Sequence, residues 1–349
     1  MSAISWLPGS IAFILSVQVA LAAGAPVADP LFQDNAILPV KIVAPMRTLI
    51  RDRPVDEELP ARFHFTDMDG NEVEVDIEVR TRGRFRHRKD ICPVPPLRLD
   101  FKKSSVKDTL FHKQDKLKLV THCRSGDTYA QVVMREYLAY RILNLLTESS
   151  YRVRLLQITY VDTDNDLAEQ QRIGFVIEHK DRLAKRIGKD VLEIPSTRVE
   201  ALHAQHINLS SVFQYFIGNT DFSPIKAAPD ENCCHNFALF GNENEPILSI
   251  PYDFDQSGLV DAPYAMPSAN FDIRSVRKRL YRGRCANNSH LPATLALFNE
   301  RRAAIEAEIN TLEPVSRRSR KSMLKYVDDF YQLIASPRKV QNSILKKCI

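Results

Sequence analysis

Apolar residues in the segment 38–120 recur mostly at every second position, as in Val73, Val75, Ile77 and Val79. Successive side chains of an extended strand point to opposite faces, so this spacing builds a sheet-rich N-terminal half. Asp69-Gly70 supplies a hairpin turn just before that run. Over 129–146 the spacing changes to three and four, with Met134, Leu138, Ile142 and Leu145 on one face, so a helix follows the sheet. Two further strands read at 152–161 and 172–179, separated by a polar, acidic turn at 162–169. After Lys180 the pattern is mainly helical, apart from a small hairpin, NFALF-GNENE-PILSIPY, that ends in DFD. Helices around 293–312 and 316–335 close the chain. This order predicts an α+β chain of two lobes facing each other across a cleft, sheet-rich over 24–179 and mainly helical over 180–349.

Residues 11–23, IAFILSVQVALAA, form an apolar block ending in small residues, which reads as a signal peptide over 1–23 cleaved after Ala22 or Ala23. The block is too short for a membrane span. The usual basic residues ahead of it are missing, and the competing reading is an N-terminal anchor or a buried helix. A secreted or periplasmic destination follows from the signal peptide. Net charge is +5, with 44% hydrophobic and 26% charged residues, an ordinary globular balance that does not imply nucleic acid. Six cysteines in an exported chain make disulfides the default. Cys92 and Cys123 flank two strand-like runs and are the first expected pair, and Cys285 with Cys348 the second. Adjacent Cys233 and Cys234 are not expected to bridge each other, because that would strain the peptide; at least one should pair at a distance or stay free.

The densest chemistry lies in 218–255, GNTDFSPIKAAPDENCCHNFALFGNENEPILSIPYDFD. A helix ending near Asp221, a loop reaching Asn236 and a hairpin ending at Asp253 would bring three polar groups to one edge. Phosphoryl transfer needs such a set: a carboxylate near the incoming nucleophile and oxygen ligands holding a divalent metal. The competing reading makes Asp221 a turn cap and Asp253 and Asp255 the start of a surface loop. What favours chemistry is that each polar group sits beside a dense apolar run.

Glu136 shares a helical stripe with Val133, Tyr140 and Leu143, so a carboxylate stands on an apolar face and wants a cation. Lys118 is the expected partner, with Lys116, Arg98 and Lys102 as rivals; an exposed Glu on a surface helix is the plain alternative. In VRTRGRFRHRKD, Arg80, Arg82, Arg84, Arg86 and Arg88 alternate and would project to one side of an extended segment, with Gly83 allowing close backbone approach to phosphate oxygens. A solvated basic edge, or a patch for an anionic surface, fits the same alternation. Glu178 ends RIGFVIEH where a hinge between lobes would offer backbone groups to an adenine ring. Neither HExxH, GxSxG nor a Walker-type loop occurs.

In order, RGRFRHR, PPLRLDF, MREYLAYRIL, RIGFVIEH, IGNTD and IPYDFD resemble the short motifs of CotH-like secretory kinases, of the spore-coat type, over about Arg82 to Asp255. The chain is most similar to an exported branch of that group. The resemblance implies an atypical protein-kinase-like two-lobed fold that binds ATP with Mg²⁺ or Mn²⁺ and phosphorylates protein Ser or Thr. It implies that Asp221 is the catalytic-loop aspartate, that Asn236 and Asp253 hold the metal, and that Asp255 assists. Lys118 with Glu136 would position the phosphates, and in the absence of a glycine-rich loop Arg82, Arg84 and Arg86 would cover them. The loop from Asp221 to Asn236 is much longer than in ordinary kinases and carries two cysteines, a departure that bears on whether catalysis is retained.

The expected partners are therefore a nucleotide and a protein substrate, with no nucleic acid and no stable membrane span. Transfer of the AMP portion would use much the same groups. Free ATP is scarce outside the cytosol, which gives weight to a different reading: a catalytically inactive binding module that recognises an anionic envelope polymer or a protein partner through its basic strand.

Overall fold

The computed structural model describes residues 27–228 and 231–349. The proposed signal peptide lies outside the described residues. Seven strands make the first sheet: β1 (Leu38–Ala44), β2 (Leu59–Thr66), β3 (Glu72–Thr81), β4 (Leu97–Phe101), β5 (Lys116–Val120), β6 (Val153–Asp162) and β7 (Gln170–Ile177). Helix α1 (Met46–Arg51) follows β1, and α2 (Asp127–Leu146) lies between β5 and β6. The sheet runs β1-β2-β3-β4-β5-β7-β6 and closes, because β6 returns beside β1 in parallel, with Val40 opposite Ile158. The other neighbouring pairs are antiparallel. The chain is thus α+β as expected, but where the resemblance implies a kinase-like two-lobed fold, the N-terminal sheet closes into a seven-stranded barrel. The turn expected at Asp69-Gly70 joins β2 to β3, with Gly70 at φ 81° and its N–H donating to Asp67 O at 2.9 Å.

Alternation explains the barrel. In β3, Val75, Ile77 and Val79 face a packed interior with Phe63, Phe65, Phe101 and Phe111, where the Phe111 ring meets Phe63 edge-on, Phe65 tilted and Phe101 stacked, at 4.6–5.2 Å. A small barrel filled by side chains is a core and not a channel.

The second part contains α3 (Lys180–Ile187), β8 (Asp190–Leu192), α4 (Ala204–Ile217), β9 (Phe237–Gly241) and β10 (Leu248–Pro251). It ends with α5 (Leu291–Thr311), α6 (Arg317–Ile334) and α7 (Pro337–Ser343). Strands β10-β9-β8 form a separate antiparallel sheet. Helix α2 is buried on nearly every side, since its residues share one apolar cluster with Phe175 and Leu155 of the barrel and with Phe213, Phe298 and Phe330 of the helical part. It is the element through which the two halves share a core.

Three disulfides are present: Cys92–Cys123, Cys285–Cys348 and Cys233–Cys234. The first two are the expected pairs. The third corrects the expectation that the adjacent cysteines would not bridge each other: Phe222, Phe237 and Leu239 hold both residues in a small apolar cluster away from any other sulfur. Such bonds persist in oxidising, extracytoplasmic compartments. No helix among the described residues is long and apolar enough to cross a membrane.

Candidate nucleotide site

Helix α4 stops at Gly218, which takes the left-handed conformation at φ 69° and sends the chain into Asn219-Thr220-Asp221. Asn219 Oδ1 then accepts the N–H of Asp221 at 2.9 Å, fixing the turn that presents the carboxylate. Asn236, just before β9, reaches across: its Nδ2 donates to Asp221 O at 2.7 Å and to Asp221 Oδ2 at 3.2 Å. This leaves its carbonyl oxygen as the group for a hard cation. Asp253 follows β10 at φ 62° and donates its N–H to Tyr140 Oη of α2 at 2.8 Å, so the central helix sets the pose of the DFD loop.

Two cavities adjoin here, with Cys234 and Tyr252 lining both. One, about 640 Å³, is lined by Arg82, Arg84 and Arg86 on one side and by Asp221, Asn236, Asp253 and Asp255 on the other. The second, about 330 Å³, is lined by Lys118 and Glu178 together with apolar Ile177, Val191, Leu192 and Leu239. Every expected site residue except Glu136 therefore lines one of the two.

Glu136 lies behind the charged cavity. Its ion-pair partner is Arg86, at 3.8 Å, and not Lys118. Lys118 instead holds its Nζ 4.5 Å from the centre of the Tyr252 ring, and among the rivals Lys116 pairs with Asp100 at 3.5 Å. The reason is direction: Lys118 points into the smaller cavity, whereas Arg86 turns inward and also meets Asp255, at 3.3 Å. Burial raises the pKa of Glu136 far above the carboxylate range, with Arg86 opposing the rise. Burial and the neighbouring Asp253 raise Asp255, again against Arg86. Solvent touches Lys118 from the cavity, but the surrounding protein and the nearby Arg82 push its ammonium down to about 8.

The alternating arginines do not form a stripe. β3 ends at Thr81, and the segment turns. Arg80 pairs with Glu58, Arg82 donates to Leu97 O and Leu119 O at 3.1 and 3.4 Å, and Arg84 pairs with Glu231. Arg86 is buried and Arg88 pairs with Asp90. Carboxylates and backbone carbonyls take the guanidinium groups one by one, so the five arginines do not project from one extended face. Glu178 also has a second employment: its carboxylate takes Arg186 at 3.0 and 2.9 Å and the N–H of Arg152 at 3.0 Å, and its own N–H donates to Arg152 O.

Sequence reading missed His235, Tyr140 and Tyr252. His235 Nε2 donates to Asp221 Oδ1 at 2.7 Å, and that bond raises the imidazole pKa. The signal for all three was adjacency, since His235 precedes Asn236, Tyr252 precedes Asp253, and Tyr140 shares the stripe of Glu136.

The donor set fits a divalent cation. Asp253 and buried Asp255 repel, which contributes to the raised pKa of Asp255, and a hard dication with oxygen ligands is the charge that relieves such a pair. Glu136 Oε2 is buried with no hydrogen-bond partner, its charge met only by the 3.8 Å ion pair to Arg86. Among the described residues, the one set of three acidic, His or Cys ligand atoms within 4.8 Å of one another lies elsewhere, at Glu58, Glu78 and Asp100, so the cavity carboxylates share a space without closing to that spacing.

No family model matches the chain, and no curated protein matches it.

Proposed function

We propose that this protein is an exported, kinase-like phosphotransferase that binds ATP with Mg²⁺ or Mn²⁺ and transfers a phosphoryl group to a protein Ser or Thr. The observation that carries the reading is the pair of adjoining cavities. One has an apolar wall of Ile177, Val191, Leu192 and Leu239 ringed by Lys116, Lys118 and Lys180 with Glu178 and Glu193, and the other has arginines facing carboxylates. A nucleotide offers a flat base to the apolar wall and a charged phosphate chain to the lysines and arginines. Both volumes fall in the range of small-molecule sites.

In this reading the base occupies the smaller cavity against Ile177 and Leu239, near the turn between β7 and α3. Lys118 and Arg82 hold phosphate oxygens. When bound, the cation screens phosphate charge and draws electron density from the transferring group. Asn236 and Asp253 would hold it, and Asp255, kept in place by Arg86, supports Asp253. Asp221 accepts the proton of the acceptor hydroxyl as its oxygen forms the new bond to the γ-phosphorus and the bond to ADP breaks. His235 holds Asp221 in orientation. Arg86 takes the helix-carboxylate partnership first expected of Lys118, which leaves Lys118 free for the ligand.

Transfer is tested by incubating the oxidised protein with isotope-labelled ATP, Mn²⁺ and a mixture of acidic and neutral polypeptides, beside Asp221→Ala. Label on protein Ser or Thr that depends on Asp221 supports the reading; label retained in Asp221→Ala overturns that assignment. Label carried in an AMP group would mark nucleotide transfer instead.

A further inference from the structure

Among the described residues, Cys234 and Tyr252 line both cavities, so the route from the smaller cavity to the larger one runs between them. Cys234 is bonded to Cys233, which lines the smaller cavity as well. On the Tyr252 side, Lys118 Nζ lies over the aromatic ring. The other two disulfides line neither cavity.

The cysteine pair is held from both directions. Cys233 N–H donates to Ile194 O at 2.8 Å and Cys234 N–H to Phe237 O at 3.1 Å, and both residues are more than nine-tenths buried in the cluster with Phe222 and Leu239. His235 and Asn236 follow directly, and these two make the side-chain hydrogen bonds to Asp221. Whatever changes the path of the chain at the pair therefore moves the amide and the imidazole that orient Asp221.

We infer that the Cys233–Cys234 disulfide is a ligand-facing and positioning element of the nucleotide site: its sulfurs wall the throat between base and phosphates, and its closed ring holds His235 and Asn236 against Asp221. The inference rests on the nucleotide reading above. A bound nucleotide would cover the pair, and opening the pair would loosen the residues on which the phosphate end depends. A soluble dithiol can open it. One reductant thiolate attacks a protein sulfur and the S–S bond breaks; the second reductant thiol then closes a cyclic disulfide, leaving two electrons and two protons on Cys233 and Cys234 as thiols.

The test follows reduction of each disulfide in the folded full chain by dithiothreitol, using differential alkylation and mass spectrometry, with and without ATP and Mn²⁺. ATP affinity is measured in parallel for wild type and Cys233→Ser/Cys234→Ser. The expected result is reduction of Cys233–Cys234 slowed about tenfold or more by ATP–Mn²⁺, and affinity weakened about tenfold in the double variant. If the double variant does not fold, the protection measured in wild type decides. Wild type that binds ATP–Mn²⁺ but shows an unchanged reduction rate overturns this inference alone. Wild type that binds no ATP–Mn²⁺ overturns the nucleotide reading and this inference with it.

Discussion

Arg86 Nε stands 3.3 Å from Asp255 Oδ2, with both side chains only 9% exposed, and so ties the loop after β3 to the loop after β10. Glu136 of α2 joins the same guanidinium at 3.8 Å, so three segments distant in sequence meet at one cation. Burying two carboxylates is costly, and one arginine shared between them is what makes the arrangement tolerable. Arg86→Ala should lower stability by roughly 3–5 kcal/mol, as expected when one partner of a buried ion pair is removed. Urea denaturation of the oxidised protein measures this. A loss within the range of surface pairs, about 0–1 kcal/mol, would mean that solvent reaches the cluster.

Glu178 and Arg186 form a second buried pair, doubly hydrogen-bonded at 3.0 and 2.9 Å. The same carboxylate holds the chain before β6 through Arg152 N–H. Glu178→Ala should therefore cost roughly 3–5 kcal/mol, and Glu178→Gln less, because the amide oxygen still accepts one bond. Equal unfolding free energies for Glu178→Ala and wild type would contradict the structural role of the pair.

Gly258 lies where the DFD loop crosses the end of α4, its N–H donating to Gly218 O at 3.2 Å. A Cβ there would come within 2.5 Å of Val276 O and 2.8 Å of Arg277 Cα, both backbone atoms. Gly258→Ala is expected to destabilise by about 1–3 kcal/mol, the usual cost of overpacking. Thermal unfolding at matched protein concentration checks it, with an unchanged midpoint as the contrary result.

His206 and His122 are buried, and desolvation lowers each imidazole from the usual 6.5 to about 4. Between those values the unfolded chain binds protons that the folded chain refuses. Stability from the two neutral rings is thus full above about pH 6.5 and lost as pH falls toward 4. Each ring accounts for at most roughly 3 kcal/mol at about 1.4 kcal/mol per pH unit. His206→Gln should flatten the acid limb of a stability-against-pH curve, and an acid limb as steep as that of wild type would refute the assignment.

The elements with regular periodicity were legible in the sequence, and the electrostatic partnerships were not. Val73 to Val79 announced β3, and the spacing from Met134 to Leu145 announced α2. Strand β8 is three residues long and α3, KDRLAKRI, is mostly charged, so neither leaves a clear apolar pattern. Closure of the barrel depends on β6 pairing with β1 in parallel, a contact between residues more than a hundred positions apart. The arginine run misled because alternation fixes side-chain direction only if the backbone stays extended, and here it turns after Thr81. Spacing brought Asp221, Asn236 and Asp253 to one cavity, but it carried no information that Arg86 would displace Lys118 as the partner of Glu136.

The central claim is most directly tested by thermal unfolding of the oxidised protein with ATP and Mn²⁺, beside Asp253→Ala, since a ligand bound only by the folded state raises the midpoint. The account predicts a metal-dependent rise in wild type that is absent in the variant. No rise in wild type, or an equal rise in Asp253→Ala, would contradict it.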